Sequence, residues 1–185
     1  MGPTVLVSIV LVAAVATAGD FIWYNYGVHH TMVAGIVHGA VLLTAVGAAL
    51  GAANGTVARG LPIGFVAGIG GALCFYAFAA VLGRQLAFSV AIPAAWMATW
   101  VILSVLEGRW LRSAHPRPWG TIAARGALAA VLGGAAFALV AGTLWGPPPE
   151  GGRNYALQLA AWAFAWAPGL LILTWASRKL PTGIA

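Results

Sequence analysis

Between Gly19 and Gly39 the chain reads GDFIWYNYGVHHTMVAGIVHG. This stretch holds one of three acidic residues, Asp20, and three of four histidines, His29, His30 and His38. Trp23, Tyr24, Asn25 and Tyr26 lie among them, and the flanking sequence is almost uncharged hydrocarbon. Carboxylate and imidazole groups suit zinc, copper, nickel or iron. With the single cysteine, Cys74, they also supply the residue types of a nucleophile, base and acid.

Spacing narrows these options. It matches neither HExxH nor a histidine pair four apart on one helix, and the adjacent His29 and His30 point to different helix faces. The metal set that residue type allows is therefore His38, Asp20 and Cys74. A haem or chlorophyll would use His38, since Gly35 and Gly39 beside it leave room for a flat macrocycle. No second deep histidine is available, so its partner would be Cys74 or nothing. A corrinoid would take His38 or Cys74 on cobalt. Each residue also has a plainer role: Asp20 as an acceptor for backbone or tyrosine groups, His29 and His30 as interfacial caps, and Cys74 as a small buried apolar side chain. Trp23, Tyr24 and Tyr26 equally suit an aromatic belt.

The surroundings decide where such a cluster must sit. The 185 residues are 62% hydrophobic and 6% charged, with a mean hydropathy of +0.94. A water-facing surface needs roughly 25% charged residues, so the chain is read as an integral membrane protein. One cysteine excludes an intramolecular disulfide and a CxxC zinc site. Polar groups inside such a chain are costly and point to function.

Apolar segments fall at about 3–24, 31–53, 61–83, 86–107, 122–145 and 155–177. Each approaches the roughly 20 residues that cross a bilayer core, and bare loops or sheet edges cannot lie in lipid. The expected fold is one all-α domain over 1–185, a compact bundle of six transmembrane helices. Ala16-Thr17-Ala18 resembles a signal-peptidase site, but no Lys or Arg precedes the apolar run, so the first segment is read as a retained helix.

The net charge of +6 is read as topology and not as nucleic-acid binding. Arg59, Arg109, Arg112, Arg117, Arg125, Arg178 and Lys179 fall on one side of the six spans, against Arg84 and Arg153 on the other. That split predicts both termini in the cytoplasm and a plasma (inner) membrane location. Loop 107–120, EGRWLRSAHPRPWG, has tryptophans and arginines suited to headgroups and anionic lipid, and is a candidate contact for a cytoplasmic or membrane partner. Glu107 is expected to neutralise Arg109 or Arg125. His115 reads as a solvated loop residue.

Glycine and alanine recur every four residues in the second segment (Gly35, Gly39, Gly47, Gly51, Gly55), the third (Gly60, Gly64, Gly68) and the fifth (Gly126, Ala130, Gly134, Ala138, Gly142). Such stripes let helix backbones approach closely, inside the bundle or between copies. Pro93 and Pro168 are expected to interrupt the fourth and sixth helices.

Depth then gathers the polar residues. Counting about 1.5 Å per residue from a first turn near Gly27 puts Asp20 and His38 roughly 10–15 Å down, facing each other across the first two helices. Cys74, Tyr76, Gln158 and Trp162 fall in the same layer. Tyr24, Asn25, Tyr26, His29, His30, Arg84, Gln85, Glu150, Arg153 and Asn154 fall above it. The expected ligand-binding set is Asp20, Tyr24, His29, His30, His38, Tyr76, Arg84, Gln158 and Trp162. With no GxxxxGK[ST] motif in the chain, these predict an outward-facing pocket that captures or transports a small aromatic or metal-containing solute, rather than an ATPase. The alternative is a haem-, chlorophyll- or metal-binding protein, or an intramembrane enzyme using Asp20, His38 and Cys74. In helix count, length and small first-helix residues such as Ala14 and Ala18, the chain looks like the substrate-capture subunits of energy-coupling-factor vitamin transporters. That likeness implies capture by a compact six-helix bundle and assigns no residue a role.

Overall fold

A computed structural model of the chain describes residues 3–26, 32–86, 90–145 and 152–175. Six α-helices make up nearly all of it, and no strand occurs among the described residues. They are α1 (Pro3–Asn25), α2 (Met32–Ala53), α3 (Val57–Leu86), α4 (Ile92–Leu106), α5 (Trp119–Trp145) and α6 (Tyr155–Trp175). All but α4 are long and apolar enough to cross a membrane. At 15 residues α4 spans only about 22 Å, but it continues directly into a π-helical turn, Glu107–Leu111.

Helices are the outcome that hydrocarbon demands, because each satisfies its own backbone groups. Their outer faces carry apolar side chains in full view, among them Val81, Leu139 and Val33. In water such a surface would aggregate; against lipid tails it costs nothing. Each helix packs on its neighbours in sequence, and α6 returns to α1, so the six form a closed ring in chain order.

Two expected boundaries shift. α3 overruns the expected 61–83 at both ends, and α4 begins at Ile92, not near 86. Pro93 lies in the first turn of α4, directly after π-helical backbone at 90–91; the change of helix type there fits a proline that removes one backbone donor. Pro168 does lie inside α6.

Lipid offers no hydrophobic drive for one helix to meet another, so close contact must do it. Between α2 and α3 the contact is backbone on backbone. A methyl group at Gly47, Gly60, Gly64 or Gly68 would collide with main-chain atoms of the facing helix. Both stripes therefore face each other, except for Gly55, which lies in the turn after α2 with nothing within 4 Å. The α5 stripe is less regular: Gly126 meets Ser104 and Val101, whereas Gly142 has nothing within 4 Å. The tightest seat on α5 is Gly133, where an added methyl would lie 2.6 Å from the Trp100 indole nitrogen. A methyl group at Gly169 of α6 would collide with the same ring.

Around Trp100 the α4–α5–α6 half is filled by aromatic rings. Trp96 stacks on Phe137 at 4.5 Å and meets Trp166 tilted at 4.4 Å, and Trp166 stacks on Trp162 at 6.0 Å. Such pairs contribute about 0.5–1.5 kcal/mol each beyond simple burial. The bundle thus has a glycine-lined half and a tryptophan-filled half.

Replacing Gly64 by Ala should lower the melting temperature in detergent by several degrees, since overpacking typically costs about 1–3 kcal/mol. The same change at Gly142 should be neutral or slightly stabilising, as alanine is the better helix former by about 0.5–1 kcal/mol.

Candidate functional site

Asp20 lies one turn and a half before the end of α1, within the membrane-spanning stretch, and is only 3% exposed. Among the described residues, both hydrogen bonds to its carboxylate come from α6. Gln158 Nε2 and Trp162 Nε1 each donate to Oδ2 at 2.7 Å. These donors are four residues apart, so they stand one above the other on one helix face. Oδ1 is left outside both bonds. Gln158 Oε1, also buried, has no hydrogen-bond partner. Among the described residues, one buried acceptor oxygen at the α1–α6 seam, Gln158 Oε1, is thus left without a donor.

Above the carboxylate lies a polar and aromatic rim. The Arg153 guanidinium stands 3.6 Å from the centre of the Tyr24 ring, and Arg153 Nη1 donates to the Leu144 carbonyl at 3.0 Å. Its positive charge is within electrostatic reach of Asp20. Asn25 Nδ2 donates to the Tyr155 hydroxyl at 2.9 Å, and Phe21 packs edge-on against Tyr155 at 5.2 Å. The α1–α6 seam is therefore polar over about two turns and apolar elsewhere.

His38 takes a different position from the one depth alone suggests. Its ring lies against Gly19, where an added methyl would come within 2.7 Å, and 5.3 Å from the Trp23 ring. No hydrogen bond or ion pair joins it to Asp20 among the described residues. Adjacent residues on a helix point about 100° apart. Gly19 therefore faces α2 while Asp20 faces α6. His38 lines a separate apolar groove of about 420 Å³ between α1 and α2, with Ile22, Val33, Val37 and Val41. Those residues are well exposed on the outer surface, so the groove opens toward lipid.

The other expected members scatter. The Tyr76 hydroxyl seats against Gly35 on α2, and Cys74 is half-buried on α3. Among the described residues, no three His, Cys, Asp or Glu side chains come together as a metal set. The trio of His38, Asp20 and Cys74 is thus not assembled, because its members face different helix contacts. His29, His30 and Glu150, with the side chains of Arg84 and Gln85, lie outside the described residues.

No family model matches the chain, and neither does any curated protein or solved structure. The architectural likeness to vitamin-capture subunits has no matching structure behind it. Function must come from the site alone.

Trp166 and Trp96, set against Trp162, show that the aromatic side of α6 is packing rather than an open wall for a flat ligand. Tyr155 is the member that residue-by-residue reading passes over: only ring order places it against α1. At the opposite end, Glu107 does meet Arg125, at 3.3 Å, but Arg109 lies over the Trp119 ring instead, at 4.8 Å.

Replacing Asp20 by Leu strands the Gln158 amide and the Trp162 indole N–H in a buried place, at about 1–3 kcal/mol each. Melting in detergent should fall markedly. Asp20→Asn retains a carbonyl that can accept both bonds and should melt close to the unaltered protein. Equal losses in the two variants would mean the hydrogen bonds matter little.

Proposed function

We propose that this chain is a membrane-embedded capture or transport protein that binds the positively charged, N–H-bearing group of a small aromatic solute at Asp20. One observation carries the reading. A carboxylate buried within a spanning helix takes both Gln158 and Trp162 on Oδ2 alone, and Gln158 keeps a buried Oε1 without a donor among the described residues. A purely structural clasp needs only Oδ2. Ionisable groups at this depth generally serve ligands, ions or protons.

The rim favours the same ligand class. Arg153 already places a cation on the face of Tyr24, an attraction of about 0.5–2 kcal/mol according to solvation. A ligand cation can replace the guanidinium there and pass its N–H groups to Asp20 Oδ1 and Gln158 Oε1. Tyr24, Phe21 and Tyr155 then offer ring faces to an aromatic body. A metal-bearing solute is supported less, because no three metal-ligating side chains converge among the described residues. In this reading the excess of cations at the far end faces the cytoplasm, together with both termini, in a plasma (inner) membrane. Asp20 then opens toward the outside.

Thermal melting of the purified protein against aromatic amines, aliphatic amines and aromatic carboxylates tests this. An aromatic amine at 100 times its Kd should stabilise by about 2.7 kcal/mol, with carboxylates inactive. Asp20→Asn should keep the fold and lose the response. A protein indifferent to every amine, or an Asn variant that responds as strongly, would leave Asp20 as a helix clasp.

A further inference from the structure

At the end of the bundle opposite Asp20, one carboxylate faces three guanidinium groups. Glu107 is fully buried in the π-helical turn after α4. It accepts hydrogen bonds from Arg112 Nε at 2.9 Å, Arg117 Nε at 3.3 Å and Arg125 Nη1 at 3.3 Å. The three arginine side chains are only 10%, 12% and 11% exposed. The group therefore keeps two formal positive charges away from bulk water, a costly arrangement unless an anion completes it.

Part of the excess is met internally. Arg125 Nη2 donates to the Ile172 and Leu173 carbonyls near the C-terminal end of α6, where the helix dipole offers roughly half a negative charge. Arg125 Nε remains buried with no partner. Each guanidinium carries five N–H donors in a fixed fork. Glu107 and two carbonyls use only a minority of the donors on three such groups.

We infer that this cluster binds the phosphate of an anionic phospholipid from the adjoining leaflet, chiefly through Arg112 and Arg117. The guanidinium fork matches phosphate oxygens two at a time. Lipid is favoured over a soluble anion by position: the cluster stands where the spanning helices end. It is flanked by Trp110 and Trp119, 56% and 60% exposed, and amphipathic rings of this kind settle at headgroup level. A π-turn at a functional position is also a recurring association. This site is independent of Asp20.

Native mass spectrometry of the full chain, released from micelles doped equally with phosphatidylglycerol and phosphatidylcholine, tests the assignment. The expected result is one phosphatidylglycerol retained per protein, with phosphatidylcholine largely lost. The double variant Arg112→Gln, Arg117→Gln should reduce that preference about tenfold or more, as losing one charge-assisted contact would. Arg59→Gln, which removes an exposed charge at the same end, should leave it unchanged. Should the double variant fail to fold, Arg112→Lys, which keeps charge but loses the fork, should still weaken the preference. Equal retention of both lipids by the unaltered protein would overturn the proposal. So would protection by millimolar inorganic phosphate that phosphatidylglycerol cannot exceed, which would mark a soluble-anion site.

Discussion

One oxygen atom takes two of the hydrogen bonds that join the first helix to the last. Asp20 Oδ2 takes both the Gln158 amide and the Trp162 indole, and the closure of the six-helix ring passes through that seam. In lipid, apolar side chains gain nothing by preferring one another to acyl chains. A buried carboxylate is different: it must find donors within the protein or bear several kcal/mol of lost solvation. Asp20 therefore dictates which helix lies beside α1. The rim groups follow from that, because the α1–α6 register that brings Asp20 to Gln158 also brings Asn25 to Tyr155.

The rest of the bundle holds together by fit. α2 and α3 meet where glycine leaves main chain against main chain, and α4, α5 and α6 meet around a block of indoles and Phe137. Trp96, Trp100 and Trp166 keep buried N–H groups without acceptors; Trp162 is the one of the four whose N–H reaches Asp20. The aromatic block and the carboxylate thus share a residue, so a change of register in α6 would disturb both. The far end repeats the principle with the signs reversed: there one acid gathers three bases, and the surplus is positive.

Much of this was legible in the amino-acid order. Six apolar runs announced six helices, since in lipid run length and helix rise leave little choice. Depth along each helix was equally readable, and it placed Asp20, Gln158 and Trp162 in one layer. Azimuth was not. Gly19 and Asp20 differ by one residue yet face different helices, and the sequence is apolar on every side of α1, so no moment tells α2 from α6. Depth alone therefore pairs His38 with Asp20, whereas the His38 ring stands against Gly19. Pro93 marks a change from π- to α-helix at 90–92, but the apolar stretch around it does not show which helix type precedes it.

The central claim is that the α1–α6 seam is an energetic coupling and not a coincidence of packing. A double-mutant cycle on thermal stability in detergent, with Asp20→Leu and Trp162→Phe singly and together, measures it directly. The account predicts a coupling of about 1 kcal/mol or more, within the range seen for residues in one hydrogen-bonded network. Losses that add to within about 0.3–0.5 kcal/mol, as for independent sites, would contradict it.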